Sequence, residues 1–431
     1  MPVWYEKLKP FVEEGALDIV GIVQEQHPDR AALYAQWRGF DFPILWDPFG
    51  ATGLEVVPVL TGIDEHGVVR VARPGLDRFV DEFVAAFLQE SFEAPEGEEP
   101  VPGFELTRAM ASEREEPVGS ADRAIARLLL GRSGAPTIGA DVAALEALAD
   151  VGRPVDRFRA GVARRLRYDG PAASAEDFQR AVDHWRSALL ARPDQYIWRR
   201  RIQQWGPRLD KPYAFYDWVE SARAEVEARG EVPVEVLVPL SGSEVAGASQ
   251  AIPIGEEDDR EPDPTGGVAR DAGAHAQLET AVARHTAAAG PRIRVPSGSA
   301  RVHVTLRPRG PSKWAVDADP AQLWLELPDG WTAERRLIEF PAPREGREQR
   351  PLRVDFGVSS PLVDLGPPDP DAPPPPSAAT LGGYVVYSIC LEDGTCVFRR
   401  QDVEIAVPLM DGAGDGDQGD SPGERKEKGD D

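Results

Sequence analysis

The sequence predicts a multidomain protein in which an α/β domain precedes an all-helical region and an antiparallel β-sandwich. Residues 1–90 mix short apolar strands with amphipathic helices. Residues 120–230 repeat apolar side chains at helical spacing, and residues 291–410 hold short strands between Pro and Gly turns. A chain of 431 residues is long enough for about two to four domains.

The first 90 residues predict the order helix, strand, helix, strand, hairpin, helix. The helices are expected at 3–14, 29–37 and 76–88, and the strands at 18–24, 42–46, 59–64 and 68–72. Asp29 is available as the N-terminal cap of the second helix. The turn 64–67, which contains His66, joins the last two strands.

Residues 91–119 are rich in Glu and Pro and predict an acidic linker. After it, helices are expected at 121–130, 141–150, 155–168 and 175–191. The last helix has a spacing that resembles the second helix of a tetratricopeptide repeat, carried by Ala181, Trp185, Ala188, Leu189 and Pro193. Because one copy does not make a repeat array, we interpret residues 120–230 as TPR-like helical hairpins.

Aromatic and basic side chains alternate in the segment 193–218. Such a composition can bind single-stranded nucleic acid, but a strongly acidic chain disfavours that ligand. Two interpretations stay open: a helix and a Pro-ordered loop with buried aromatic rings, or a docking surface for a partner or for the α/β domain. The candidate partner-binding residues are Trp198, Arg199, Arg200, Trp205, Tyr213 and Trp218.

Residues 231–290 predict a flexible connector, with a strand at 232–240 and a short Ala-rich helix at 276–289. The sandwich is expected over 291–410, and residues 411–431 predict a disordered, charged tail. The predicted sandwich strands are 300–306, 322–326, 335–340, 352–358, 384–390 and 396–408.

The only two cysteines of the sequence, Cys390 and Cys396, flank a predicted hairpin turn. If residues 392–394 form a three-residue loop with Gly394 in the left-handed region, the two cysteines lie directly opposite each other. A small inward shift then closes a disulfide. From this stretch alone the pair is a structural staple, two unpaired thiols, or a redox-active couple.

The segments 57–60 (VPVL), 63–69 (IDEHGVV) and 42–47 (FPILWD), with the opening Met-Pro, resemble thioredoxin-like proteins of the TlpA and ResA type. The resemblance covers about 80 residues and implies a thioredoxin-like fold for residues 1–90. It also implies that Pro58 is the cis-proline facing the active-site sulfurs. The family's Cys-x-x-Cys motif and first strand would precede Met1. Two explanations stay open: the start is placed too late, which we expect, or the protein has lost the nucleophile.

A second resemblance covers about 110 residues and concerns the N-terminal domain of DsbD-type thiol:disulfide interchange proteins. The residues that carry it are Lys313-Trp314, the segments 323–325 and 327–331, and 387–390 followed by Cys396. It implies an immunoglobulin-like sandwich in which Cys390 and Cys396 exchange electrons with thioredoxin-like partners. One departure is that 397–400 (VFRR) replaces the family's aromatic-proline, which affects the cap over the disulfide.

Charge and composition exclude several classes of function. The net charge of −25 disfavours nucleic acid and anionic membranes, and no apolar run is long enough for a transmembrane helix. The start carries no export signal; the resemblances imply an extracytoplasmic location if a leader precedes Met1, and otherwise a cytoplasmic one. His27, His66 and His184 lack the spacing of a catalytic dyad, and no metal or other cofactor is predicted.

Three functions follow as hypotheses. The first is a thiol–disulfide oxidoreductase of the thioredoxin class, with protein thiols and disulfides as substrates and Cys390, Cys396 and Pro58 at its sites. The second is a non-enzymatic interaction or scaffold protein with a structural disulfide. The third is a peroxiredoxin-like peroxidase, whose thiol would also lie upstream of Met1.

Overall fold

The computed structural model describes most, but not all, of the chain. The described residues are 2–55, 57–72, 83, 87–93, 121–131, 135–203, 215–238, 240, 244, 268–284, 299–360 and 378–408. The predicted helix 76–88 and the predicted linker and tail therefore lie largely or wholly outside the described residues.

The described helices are α1 (Pro2–Glu13), α2 (Pro28–Arg38), α3 (Ala121–Leu129), α4 (Ala135–Val151), α5 (Pro154–Asp169), α6 (Asp177–Ala191), α7 (Tyr196–Gln203) and α8 (Val219–Ala228). The strands are β1 (Gly21–Val23), β2 (Ile44–Trp46), β3 (Thr61–Ile63), β4 (Val69–Ala72), β5 (Ala276–Arg284), β6 (Ser299–Pro308), β7 (Lys313–Trp314), β8 (Gln322–Glu326), β9 (Thr332–Ala333), β10 (Leu337–Glu339), β11 (Leu352–Ser359), β12 (Ala378–Cys390) and β13 (Cys396–Pro408).

The N-terminal residues form two small sheets. β1 and β2 are parallel, whereas β3 and β4 form an antiparallel pair joined by the predicted turn. Asp64 closes this turn, because its carboxylate accepts the backbone N–H groups of His66 and Val68 at 2.9 and 2.8 Å. α1 packs beside these strands through Leu8, which shares a buried cluster with Phe83 and other apolar side chains.

The helices α3–α7 share one buried core that includes Phe158 and Trp185. α5 and α6 pack closely because Gly161 of α5 carries no side chain. A Cβ added there would lie 2.5 Å from Trp185 Cδ1, closer than packed atoms can approach. All four predicted helices are present, although α4 begins at Ala135 and not at the predicted residue 141.

Two antiparallel sheets in the C-terminal half share a second core. One has the order β10-β8-β12-β13, with β7 also paired to β12, and the other has the order β5-β6-β11-β9. Val304 of β6 and Val385 of β12 are both fully buried in the common cluster. The described chain is thus a mixed α/β structure of helices and mainly antiparallel sheets, and no closed barrel occurs in its described part.

The predicted helix at 276–289 is wrong, because the described residues of this Ala-rich segment form strand β5. β5 pairs along its length with β6, and it is buried on both faces: Val282 belongs to the core of the sheets, whereas Ala281 and Ala283 belong to the helical core. Gln179 of α6 bonds both backbone groups of Val282, at 2.7 and 3.2 Å. Small alanines allow this close helix–strand contact, and the pairing overrides their helix propensity.

Two other local expectations are wrong. The described residues between 232 and 240 form no strand, although they are held by α2, where Gln36 Oε1 accepts the Val234 N–H at 2.8 Å. Asp29 is not the N-cap of α2, which is His27. The Asp29 carboxylate instead accepts the Leu237 backbone N–H at 2.5 Å.

Candidate functional site

The candidate site is the end of the hairpin formed by β12 and β13. The Leu391 N–H donates to the Thr395 carbonyl at 2.8 Å, and the Gly394 N–H donates to the Leu391 carbonyl at 3.0 Å. Gly394 has a φ of 84°, in the left-handed region that favours glycine. Asp393 accepts the Thr395 N–H at 2.8 Å, and this bond lowers the pKa of the Asp393 carboxyl. The predicted turn and register are confirmed.

Cys390 and Cys396 are paired directly across the hairpin and are bonded as a disulfide. Their Cα atoms are 3.8 Å apart. The two residues differ in environment, since Cys390 is only 7% exposed whereas Cys396 is exposed. Cys396 is therefore the member of the pair that is more open to an approaching molecule.

The buried face of the same strands anchors the hairpin. Ile389 is paired with Trp314 of β7, and both side chains are buried in the core of the sheets. The Trp314 indole N–H donates to the Arg350 carbonyl at 2.8 Å. The Trp314 ring also contacts Tyr387 edge-to-face, with centroids 5.8 Å apart. This anchoring places the disulfide on a rigid support.

A lysine and an aromatic ring lie beside the disulfide. Lys313 of β7 pairs directly with Cys390, so their side chains share one face of the sheet. Phe398 follows Cys396 by two residues on that face and is 48% exposed. Segment 397–400, which differs from the family's aromatic-proline, thus still places an aromatic residue next to the disulfide. No proline follows that residue in the segment.

Pro58 lies in a different part of the molecule. The Val57–Pro58 peptide bond is cis, which confirms the expected bond geometry. Pro58 lies just before β3, whereas Cys390 and Cys396 end β12 and begin β13, and the sheet of β3 is separate from that of β12 and β13. A role for Pro58 opposite active-site sulfurs stays a prediction.

The aromatic–basic segment makes contacts within the chain. Trp198 is buried in the helical core and stacks on Phe158, with centroids 5.3 Å apart. Trp218 stacks on Trp37 of α2 at 5.9 Å. Arg199 donates to the Pro193 carbonyl. Trp205 and Tyr213 lie outside the described residues. The expected partner contact does not fit Trp198, because its side chain is not accessible.

Arg200 is also used inside the chain. It pairs with Glu25, which follows β1, at 3.2 Å, and the Tyr216 hydroxyl donates to the same carboxylate at 2.5 Å. These neighbours, together with Arg201, lower the pKa of Glu25 against the effect of its burial. The segment thus docks on the N-terminal α/β residues, which was one of the open interpretations.

Sequence reasoning missed a buried polar junction centred on Asp169, the last residue of α5. Its carboxylate lies 2.7 Å from Arg165 of the same helix, 3.2 Å from Arg353 of β11 and 3.5 Å from His27 Nε2. Burial, followed by the field of Arg30 and other nearby arginines, lowers the pKa of His27 well below its usual value. No sequence signal could have found this junction, because its members are far apart in the chain.

Two searches of the described residues were negative. No group of three or more His, Cys, Asp or Glu side chains there could hold a metal ion. Among the same residues, no helix is long and apolar enough to cross a membrane.

Comparison with known proteins returned no similarity on which a family assignment could stand. The chain matches no protein-family model, no curated protein sequence and no solved structure.

Proposed function

We propose that this chain is a thiol–disulfide oxidoreductase that exchanges electrons through the Cys390–Cys396 pair. The observation that carries the proposal is the asymmetry of the disulfide, which joins a buried Cys390 to an exposed Cys396 at the end of an anchored hairpin. Exchange requires that a thiolate approach one sulfur while the other leaves. Exposure of Cys396 at the end of an anchored hairpin supports the first requirement.

The proposed reaction uses a partner dithiol. One partner thiolate attacks the Cys396 Sγ atom, a mixed disulfide forms, and the bond to Cys390 breaks with release of the Cys390 thiolate. The second thiol of the partner, as a thiolate, then attacks the partner's sulfur in the mixed disulfide and releases the Cys396 thiolate. The partner is oxidised to a disulfide and the hairpin pair is reduced to two thiols, which take up the two protons that the partner gives up. The reverse sequence oxidises the pair.

The neighbours of the disulfide suit this reaction. Lys313, opposite Cys390 in the register, supplies a positive charge beside the thiolate that leaves. The exposed ring of Phe398 gives a partner an apolar contact next to the reacting sulfur. Both side chains lie on the face from which Cys396 is accessible.

The proposal extends to the architecture. Residues 1–90 would be a thioredoxin-like domain, residues 120–230 a TPR-like helical domain, and residues 291–410 a DsbD-like sandwich of immunoglobulin-like fold. The alternating elements of the first region and the core shared by two antiparallel sheets in the last support this division. The partner would be another thioredoxin-like protein and not a nucleic acid, given the net charge of −25.

The experiment is electron transfer from a reduced thioredoxin to the oxidised full chain, followed by alkylation and mass measurement. We expect two alkylated cysteines to appear in the chain as the thioredoxin becomes oxidised. The double variant Cys390→Ser, Cys396→Ser is the control that accepts no electrons. If thioredoxin transfers no electrons although dithiothreitol reduces the pair, the disulfide is structural.

That negative result would favour a non-enzymatic scaffold protein. One observation supports this second candidate: the helical region uses Arg200, Tyr216 and Trp218 to hold the N-terminal α/β residues. A helical region built to join neighbouring units can also present them to a partner.

A further inference from the structure

A positively lined cleft opens beside the candidate site. It has a volume of about 670 Å³ and lies between the end of α5, the stretch 237–238 and the residues around 307–313 and 346–353. Five of its lining residues are basic and only two are acidic. The chain has a net charge of −25, so the positive charge of this cleft is opposite in sign to that of the whole molecule. Its basic residues are Arg307, Lys313, Arg347, Arg350 and Arg353.

The positive charges of the cleft are only partly neutralised. Arg347 and Arg350 share a single carboxylate, that of Glu235, at 2.5 and 3.2 Å. Their side chains are 35% and 39% exposed. Arg353 likewise shares Asp169 with Arg165. Two guanidinium groups per carboxylate leave net positive charge in the cleft. Guanidinium groups bind carboxylates through paired hydrogen bonds, so a further carboxylate is a suitable ligand.

The other basic residues of the cleft are more nearly neutralised by acidic neighbours. Arg307 pairs with Glu279 at 3.1 Å. Glu348 accepts the Gly346 N–H at 3.0 Å. Hydrogen bonds from the backbone N–H groups of Glu348 and Gly346, and to a smaller extent the charge of Lys313, lower the pKa of the Glu348 carboxyl. The accessible excess charge is therefore at Arg347 and Arg350, because the side chain of Arg353 is only 6% exposed.

Lys313 connects the cleft with the disulfide. It lines the cleft and also stands opposite Cys390, which in turn stands opposite Cys396. Adjacent strands are about 4.8 Å apart, so Lys313 and Cys396 are separated by roughly 10 Å across the sheet. An extended peptide covers that distance in about three residues. A peptide whose cysteine reacts with Cys396 can therefore place residues three or more positions away in the cleft.

From this geometry we infer that the cleft binds an acidic peptide segment of the protein whose cysteine exchanges with Cys396. The inference rests on the proposed function, and it adds the substrate class. Carboxylates spaced three to six residues from the cysteine would meet Arg347 and Arg350. A nucleic acid carries the same sign of charge, but it has no thiol that could exchange with Cys396.

The test uses three synthetic peptides with one cysteine each and, three to six residues away, four Glu, four Gln or four Lys residues. Reduction of the oxidised chain is followed at low ionic strength. We expect the Glu peptide to react about tenfold faster than the Gln peptide, and the difference to shrink at high salt. Copies of the Glu and Gln peptides with Ser in place of Cys measure binding alone, and only the Glu copy should bind.

Matched variants of the chain locate the effect. Arg347→Gln should reduce the preference for the Glu peptide, whereas Glu235→Gln should increase it, because it releases two guanidinium groups. Arg344→Gln is the control, since Arg344 is an exposed residue of the same loop that does not line the cleft.

Equal rates for the Glu and Gln peptides, with exchange intact, would overturn the inference and leave the proposed function standing. If the Ser copy of the Glu peptide binds but no cysteine peptide exchanges, the proposed function fails and the cleft remains a binding site for acidic peptides. If the Glu copy does not bind and no cysteine peptide exchanges, both fail.

Discussion

Lys313 stands directly opposite Cys390 in the pairing of β7 with β12, on the side away from Cys396. Cys390 therefore lies between Cys396 and Lys313, so that in the proposed exchange the leaving sulfur would be beside an ammonium group. A positive charge near a thiolate lowers the free energy of the charged form. This arrangement fits the proposed exchange, in which Cys396 is the attacked sulfur and Cys390 the leaving one.

Replacing Lys313 by Gln should slow the reduction of the disulfide by a small thiol about three- to fivefold. The reason is the loss of up to about 1 kcal/mol of stabilisation of the leaving thiolate at an exposed position. The rate is measured with a neutral thiol, so that binding in the cleft does not contribute. Lys313→Arg should react at the wild-type rate, and a rate for Lys313→Gln that equals it would contradict the assigned role.

The single-cysteine variants should differ in reactivity. In Cys390→Ser the remaining Cys396 thiol is exposed, and we expect it to be alkylated and to form mixed disulfides readily. In Cys396→Ser the remaining Cys390 thiol is buried, and we expect alkylation at least about tenfold slower. Alkylation in urea, where both thiols are accessible, is the control. Equal rates in the native state would contradict the assignment of Cys396 as the attacked residue.

The contact between α5 and α6 can be tested at Gly161. Gly161→Ala would place a methyl group 2.5 Å from Trp185, and we expect a loss of about 1–3 kcal/mol in the free energy of unfolding. Gly139→Ala in α4 is the matched control, since a Cβ at Gly139 meets nothing within 4 Å. That control should gain up to about 1 kcal/mol from helix propensity. Denaturant unfolding measures both, and changes of equal sign would refute the packing described.

The folded protein should become less stable as the pH decreases, because of His303. This side chain is buried and stacks on Phe178, with centroids 4.3 Å apart. Burial lowers its pKa to about 3; Asp355 opposes the shift and the arginines at 165, 353 and 301 support it. The unfolded chain, with a histidine pKa of about 6.5, binds the proton first. The contribution is complete above about pH 6.5 and decreases as the pH falls towards 3, by roughly 2 kcal/mol at pH 5.

The comparison of wild type with His303→Phe isolates this contribution. Phe retains the stacking on Phe178 and cannot titrate, so the difference between the two proteins in unfolding free energy should change by roughly 2 kcal/mol between pH 7 and pH 5. His27 titrates in both proteins and cancels. A difference that is constant with pH would show that His303 has the same pKa in the folded and the unfolded chain, and would contradict the shift.

Local interactions explain what could be predicted from sequence. The hairpin around Gly394 depends on a turn of three residues and on the alternation of its two strands, so the pairing of Cys390 with Cys396 follows from neighbouring residues. The helices α5 and α6 were predictable for the same reason, because each shows an apolar stripe at helical spacing.

Long-range contacts explain what could not be predicted. The Ala-rich segment becomes strand β5 because β6 pairs with one edge and Gln179 bonds Val282 of the strand. Gln179 is 103 residues from Val282 in sequence. Asp169 joins His27 to Arg353 across most of the chain. The cleft beside Lys313 likewise combines segments that only the tertiary structure brings together.

The most direct test of the central claim is the reduction potential of the Cys390–Cys396 pair in the full chain. The protein is equilibrated with a series of glutathione or dithiothreitol redox buffers, and its thiols are alkylated and counted by mass. If the pair exchanges with thioredoxin-like partners, its potential should lie between about −270 and −120 mV, the range of such oxidoreductases. A potential below about −300 mV, typical of structural disulfides, would contradict the proposed function.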